Sequence, residues 1–231
     1  MAKRITQQSR GKGSFTYRVR KRAFIYRIGY PQAQGEAKVL KLINSAAHTA
    51  PLAKMMLNRE VFFVPAVLGI VEGQNVSFGI DTTQGNVVQL QNIPVGTRIS
   101  NIEAQPFDGG KFMRTAGSSA VITRKTNNGV IVIFPSKKEK VFGNGCRATV
   151  GIVAGSGRKE KPFVKAGAKF HLMKARGKLW PRTSAIKMNA IDHPFGSGRG
   201  KRPKSKIAKR NAPPGARVGH IRPARTGRSK R

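Results

Sequence analysis

The chain is poor in acid. Of 231 residues only nine are Asp or Glu, against 45 Lys and Arg, for a formal net charge of +36. Paired carboxylates for acid–base work or divalent-metal binding are not visible in so small and scattered a pool. Cysteine is nearly missing as well. Cys146 stands alone, which excludes an internal disulfide and any Cys-based zinc site within one chain, and fits a reducing cytosol. No apolar run approaches the ~20 residues that span a bilayer. No basic amphipathic helix with a bulky apolar face persists, so an anionic membrane is a poor partner. The N-terminal MAKRITQQSRGKGS lacks the apolar centre of a secretory signal. Being Arg-rich and acid-poor, it leaves a transit-peptide reading open. A charge of this size is costly to a folded protein through self-repulsion. The default candidate to neutralise it is nucleic acid.

What charge there is falls unevenly. Residues 1–41 carry 11 basic residues and one acid, residues 42–157 carry 11 and six, and residues 158–231 carry 23 and two. No acid follows Asp192. A nearly balanced middle, able to bury a core, is flanked by two arms that are not. In RGKGSFTYRVRKRAFIYRIGY, residues 10–30, basic residues interleave with Phe15, Tyr17, Phe24, Tyr26 and Tyr30. Such an arm can lie on RNA, with Arg on phosphates and rings stacked on bases. The plainer alternative is a marginal strand or arm whose aromatics pin it to the core.

The middle reads as β structure. AKVLKLIN alternates apolar and polar positions, as a half-buried strand does. In EVFFVPAVLGIVEGQNVSFGI, Val61 to Val64, Val67 to Val71 and Val76 to Ile80 read as short strands, with Pro65 marking an edge or bulge and Glu72 to Asn75 a turn. TAPLAKMMLN fits either a short helix, with Pro51 in its first turn, or another strand. VVQLQNIPVGTRISNIE reads as strand, turn and strand. SSAVITRKT and VIVIFPS flank Asn127-Asn128-Gly129, where the Asn-Gly pair predicts a tight hairpin with positive φ at its centre. CRATVGIVAG adds a further strand. Two clusters of short strands predict two small barrels in succession. Beyond Ala154 the periodicity fades, and the C-terminal GKRPKSKIAKRNAPPGARVGHIRPARTGRSKR reads as extended, basic and unable to fold alone.

One stretch invites a chemical reading: NAIDHPFGSGRG, residues 189–200. Asp192 and His193 are neighbours, but adjacent residues of an extended segment face opposite ways, and Pro194 biases His193 toward that geometry. Asp192 is therefore a poor partner for His193, since an orienting Asp is usually brought from elsewhere in the chain. The glycines follow G-x-G-x-G rather than the dinucleotide G-x-G-x-x-G, and no nucleotide cofactor is expected. They offer bare backbone for close approach to a flat or charged surface, with Arg199, Lys201 and Arg202 next for phosphate. His48, His171 and His220 lack metal-ligand spacing. Trp180, in KLWPR, fits a core anchor or a stacking platform equally well. Arg114, between glycines in GGKFMRTAG, reads as a loop residue, either solvated or in contact with RNA.

QNIPVGT, NIE, GGKFMRTAG, CRATVGIVAG, KLWPR, MNAIDHPFGSG and NAPPGARVGHIRPARTGR occur here in one order. In that order they closely resemble the universal large-subunit ribosomal protein L-two family; the ending and the APLAK at 50–54 point to its archaeal and eukaryotic form. The resemblance covers most of the chain. It favours a strand for TAPLAKMMLN. It implies a mainly β fold with an OB-fold barrel, then an SH3-like barrel, and long basic extensions at both ends. The expected limits are an arm at 1–34, the OB-like barrel at 35–85, the SH3-like barrel at 88–165 and the extension at 166–231. It also implies a cytoplasmic protein of the large ribosomal subunit that binds large-subunit rRNA beside neighbouring ribosomal proteins. The small subunit and tRNA would lie nearby. Such a protein would support subunit association, tRNA binding and peptidyl transfer without catalysing a reaction.

The residues expected to contact rRNA are Arg18, Arg20, Arg22, Arg114, Lys174, Lys178, Trp180, Arg182, Asn189, His193, Gly196, Gly198, Arg199, Lys201 and Arg202. His193 matches the family's Asp-His-Pro histidine, which the resemblance places close to catalytic RNA. No metal, cofactor, membrane or homo-oligomer is expected. Two departures stand out. The family commonly reads Arg-Val-Arg-Gly-Val-Ala-Met-Asn where this chain has RTSAIKMN, so Ser184-Ala185 replaces an Arg-Gly pair, and Ser197 interrupts a glycine triplet. The alternatives are a nucleic-acid-processing enzyme using His193 and a DNA-compacting protein.

Overall fold

The structure is a computed structural model that describes residues 3–198 and 206–223. It is mainly β. Among the described residues, ten strands join in one continuous sheet: β1 (Gly35–Ile43), β2 (Leu52–Leu57), β3 (Glu60–Pro65), β4 (Asn75–Gly79), β5 (Val87–Gln89), β6 (Arg98–Ser100), β7 (Ala120–Thr126), β8 (Gly129–Ile133), β9 (Glu139–Phe142) and β10 (Arg147–Val150). Their order is β3-β2-β1-β4-β5-β10-β6-β7-β8-β9.

This single ladder serves two cores. Ala37, Val39, Ala53, Met55, Leu57, Phe62, Val64, Val76 and Phe78 close the first, with Phe78 edge-on to Phe62 at 5.5 Å. Leu90, Ile93, Ile99, Ile102, Ile122, Val130, Val132 and Phe142 close the second. The alternation read from the sequence explains both, because successive side chains of a strand face opposite ways: in β1, Ala37 and Val39 are buried and Lys38 and Leu40 exposed. A parallel step, with Phe78 opposite Val87 and Gly79 opposite Val88, carries the sheet from the first core to the second.

TAPLAKMMLN forms strand β2, and Pro65 ends the edge strand β3, where a missing N–H costs no ladder bond. The expected strand at Val67 to Val71 does not form. Only Val67 bridges, to Val153, and the chain then turns through Gly69 at a φ of 83°. The hairpin between β7 and β8 is present, but its two-residue loop is Asn127-Asn128, because Thr126 pairs with Gly129. Positive φ falls on Gly129 rather than on either asparagine. A side chain there would strike the Phe142 carbonyl, 2.5 Å from where its Cβ would sit. Gly129 thus serves the approach of β9 rather than the turn.

Glu103, fully buried, stands between the cores. Its carboxylate accepts the backbone N–H groups of Phe107, Gly109 and Arg147 at 3.3, 3.2 and 2.8 Å, and pairs with the Arg147 guanidinium at 2.8 Å. Arg147 in turn donates to the Pro31 carbonyl at 2.7 Å, with its guanidinium over the rings of Tyr30 and Phe107. The Tyr30 hydroxyl donates to the Asn101 carbonyl at 2.8 Å, so the Thr149 hydroxyl, 2.6 Å away, donates to Tyr30. Burial pushes the Tyr30 phenol well above its ordinary value, which keeps it a neutral donor.

Packing divides the chain at other places than composition does. One compact unit is residues 20–175, and the other joins residues 1–19 to residues 176–231. The segment from Arg20 to Pro31 therefore packs with the barrels. Helix α2 (Ala166–Ala175), unannounced by any apolar stripe, also belongs to that unit and buries none of its residues.

Removing one partner of a buried ion pair typically costs about 3–5 kcal/mol. Glu103→Ala is expected to lower the urea-unfolding free energy by about that much. The double variant Glu103→Leu/Arg147→Met should recover only part of the loss, since three backbone N–H groups stay unpaired. A single variant as stable as the parent would contradict this account.

Candidate nucleic-acid interface

The unit made of residues 1–19 and 176–231 carries 22 Lys and Arg and one acid, Asp192. It is held less by an apolar core than by backbone contacts. Helix α1 (Thr6–Gly11) begins at Ile5, which is buried. The Gln8 side chain caps it by accepting the Ile5 N–H at 3.1 Å, and the same side chain lies against Gly215. The Lys3 N–H donates to the Ile191 carbonyl at 3.0 Å, and the Lys3 ammonium stands 3.7 Å from Asp192. Strands β11 (Ile207–Ala208) and β12 (His220–Ile221) pair in parallel, so part of the tail expected to stay extended is folded.

Asn189 to Gly198 form a loop closed on itself. The Asn189 carbonyl accepts the N–H of both Asp192 and His193, Gly196 N–H donates to His193 O, and Ala190 N–H to Ser197 O. His193 is nearly buried; its Nδ1 accepts the Phe195 N–H at 3.0 Å, and its ring leans on Phe195 at 5.2 Å. An Nδ1 that accepts carries no proton, so the ring's proton sits on Nε2. The Asp192 carboxylate is with Lys3 and is no part of a dyad. Gly196 is buried, and its bare Cα faces the Asn189 carbonyl, where a Cβ would sit 2.2 Å from that oxygen. Its glycine serves close approach of the chain to itself. Gly198 is exposed, and a Cβ there would meet only the Ala190 Cβ, at an ordinary contact distance of 3.7 Å.

The other expected contact residues divide between the two units. Lys178, Trp180 and Arg182 fall in the same unit as His193; Arg182 and Lys178 are exposed and Trp180 half-buried. Arg18 is there too, exposed and folded back so that its Nε donates to the Gly13 carbonyl, with its guanidinium over the exposed ring of Phe15. Arg20, Arg22, Arg114 and Lys174 belong to the barrel unit. Arg20 precedes and Arg22 lies within a 3-10 turn (Lys21–Phe24) that is tied down by Ala23: its carbonyl accepts the Ala47 N–H at 3.2 Å and the Ser45 hydroxyl at 3.3 Å. Arg114 lies in a loop, half-buried, and donates to the Gly110 carbonyl at 2.9 Å; burial lowers its pKa. Burial and then Arg114 lower the pKa of His48, whose Nδ1 shares a 2.8 Å hydrogen bond with Ser45. Lys174 ends α2 with its ammonium over the Phe170 ring at 5.7 Å. Arg199, Lys201 and Arg202 lie outside the described residues.

The aromatics of residues 10–30 part in the same way. Tyr30 is buried, Tyr26 leans on Phe63 at 4.8 Å, and Phe24 meets His48 edge-on at 5.0 Å. Those three pin the segment to the barrel unit, as the plainer sequence reading had it. Phe15 is 90% exposed and stays available for stacking. Sequence reasoning missed Arg10, Thr183 and Ser184, which line a cavity with Tyr17, Arg182 and His193; no local spacing joins residues so far apart. Among the described residues, no cluster of three His, Cys, Asp or Glu could hold a metal, and no helix is long and apolar enough to cross a membrane.

Fold and charge together define a class: a basic β protein with two cores on one sheet, its cations displayed on loops, turns and a nearly acid-free terminal unit. The matches to known proteins narrow that class. Residues 83–215 match the family model for the C-terminal domain of ribosomal proteins L2. Over 98% of its length the chain is 43% identical to the large ribosomal subunit protein uL2 of Archaeoglobus fulgidus, covering 99% of that protein. Identity is 41% to the uL2 of Hyperthermus butylicus, over the whole of both chains, and 38% to that of Haloquadratum walsbyi, over 99% and 97%. The chain belongs to the uL2 family, in its archaeal and eukaryotic form.

The two glycines of the loop make a paired test. Gly196→Ala should open the loop, raising amide hydrogen exchange across residues 189–198, because overpacking of this kind costs about 1–3 kcal/mol. Gly198→Ala should leave exchange unchanged. Equal behaviour of the two variants would contradict the packing described.

Proposed function

We propose that this protein is a structural constituent of the large ribosomal subunit, in the cytoplasm, that binds large-subunit rRNA. Its relatives are named as large-subunit proteins, but the observation that carries the reading is the partition of charge. A folded unit with 22 cations and one acid repels itself, and a dense phosphate backbone is the natural counter-charge. Phosphate contacts position such a protein. The candidates are Arg18, Arg20, Arg22, Arg114, Lys174, Lys178 and Arg182, joined by Arg199, Lys201 and Arg202. Trp180, Asn189, His193, Gly196 and Gly198 complete the interface, Gly196 by shaping the loop that presents the others.

The protein catalyses no reaction in this reading. It holds RNA in place, next to other ribosomal proteins, and supports subunit association, tRNA binding and peptidyl transfer through that placement. An RNA-processing enzyme built on His193 would need a carboxylate to orient the imidazole, whereas the His193 Nδ1 accepts the Phe195 N–H instead.

In sucrose gradients of the native source the chain should travel with large ribosomal particles in moderate salt; recovery only in free or DNA-bound fractions overturns the proposal. Binding of the purified protein to large-subunit rRNA should weaken steeply with salt, each phosphate contact adding about 0.7–0.9 to the slope of log affinity against log salt. A slope worth one or two contacts is incompatible with it.

His193→Ala should leave subunit assembly largely intact and lower translation in a reconstituted system. Unchanged translation would reduce His193 to a residue of the loop's own packing.

A further inference from the structure

The cavity beside His193 has no role in the reading above beyond general charge. It encloses about 520 Å³, within the roughly 300–1,000 Å³ of sites that enclose small organic groups. Its walls come from distant parts of one unit: Thr6, Gln7, Arg10 and Tyr17 from the N-terminal segment, and Leu179, the run from Pro181 to Ala185, Met188 and His193 from the C-terminal one. Three properties of the lining converge. Leu179, Pro181, Ala185 and Met188 give apolar surface, with the half-buried ring of Tyr17 as a flat face. Hydroxyls and an amide from Thr6, Gln7, Thr183 and Ser184 supply both donors and acceptors. Arg10 and Arg182 are exposed cations in the same lining, and no acid accompanies them.

A flat aromatic face, hydrogen-bonding edges and uncompensated positive charge are the needs of a single unstacked nucleotide. A duplex offers no base that could enter. An acidic peptide would satisfy the arginines but leave the aromatic and apolar walls without a matching group. We propose that this cavity receives one unpaired nucleotide of the bound RNA, its base against Tyr17 and its phosphate held by Arg10 and Arg182. The proposal rests on the rRNA-binding reading and adds to it a discrete site.

The departure at Ser184-Ala185 acquires a meaning in this setting. An arginine at position 184 would add a long charged side chain to the cavity wall, whereas the short Ser184 side chain leaves room and a hydroxyl there. The tautomer of His193 fits the same site. With Nδ1 engaged by the Phe195 N–H, the ring nitrogen left to donate is Nε2, on a residue of the cavity lining.

The test uses the full-length protein bound to large-subunit rRNA, with base and 2′-hydroxyl chemical probing of the RNA. In the wild-type complex an unpaired nucleotide should be protected at both positions. Ala185→Trp, which fills the cavity, and Tyr17→Leu, which removes the ring, should each restore reactivity at that nucleotide. Overall affinity should fall by less than about tenfold, because phosphate contacts along the whole chain dominate it. Photo-crosslinking with mass spectrometry should place the same nucleotide on Tyr17. If Ala185→Trp disturbs folding, protections are lost throughout, and Tyr17→Leu alone decides. Protection unchanged in Tyr17→Leu, or a crosslink from Tyr17 only to paired RNA, overturns the proposal while rRNA binding stands. Failure of the wild-type protein to bind rRNA at all overturns the underlying reading instead.

Discussion

The barrel unit depends on one carboxylate. Glu103 is one of nine acids in a chain of net charge +36, yet it has no exposure to solvent. Burying a charge is expensive unless it is paired and its lone pairs are satisfied. Here three backbone N–H groups and a guanidinium meet that condition. The arrangement fixes three pieces of chain: the loop at 103–109, β10 through Arg147, and Pro31 through the second arm of the same guanidinium. Tyr30 adds a cross-tie by engaging Asn101 and Thr149. The residues just before the first strand are thus locked against the second core. Further back, the turn that carries Arg20 and Arg22 has its own tie, through the Ala23 carbonyl to Ala47 and Ser45.

The terminal unit solves a different problem. With 22 cations and one acid it has little apolar surface to bury; Ile5, Ala208 and the nearly buried His193 are among the few side chains withdrawn from water. Order comes instead from backbone fitted closely to other groups. Gly196 lies against Asn189, Gly215 against the Gln8 side chain, and Gly219 against the Lys206 carbonyl. Backbone packed this way carries no charge and brings no repulsion. The repulsion among the arginines and lysines nevertheless remains, to be lowered by screening or by a dense counter-charge.

The sequence made some of this legible and hid the rest for physical reasons. Strands β1, β4, β7 and β8 announced themselves because half-burial imposes a period of two, as at Ala37 and Val39. Val67 to Val71 carries the same apolar content without pairing, since a glycine at positive φ turns the chain before a ladder can extend. The Asn-Gly signal located a hairpin correctly but misassigned the glycine, whose conformation answers to a third strand. Glu103 was visible only as part of a three-residue motif. Its partner Arg147 lies 44 residues away, and the Pro31 carbonyl that Arg147 also engages lies 116 residues from that arginine; no local pattern encodes such distances. The cavity at Tyr17 and Arg182 was invisible for the same reason, although its aromatic and basic members each stood in segments with the right composition for RNA.

The Asp-His pair shows how local geometry can remove a tempting chemistry. A catalytic imidazole needs one nitrogen free for the substrate and the other oriented by a base. In His193 the orienting position is filled by a main-chain N–H from Phe195, which donates to Nδ1 rather than accepting from it. That bond removes the acceptor on which a general base would depend and leaves a fixed N–H. The neighbouring carboxylate lies nearer Lys3 and makes no hydrogen bond to the ring. What persists is a hydrogen-bond donor in a stiff loop, at the wall of an acid-free cavity. The position of that donor is set by the loop whose close turn Gly196 permits.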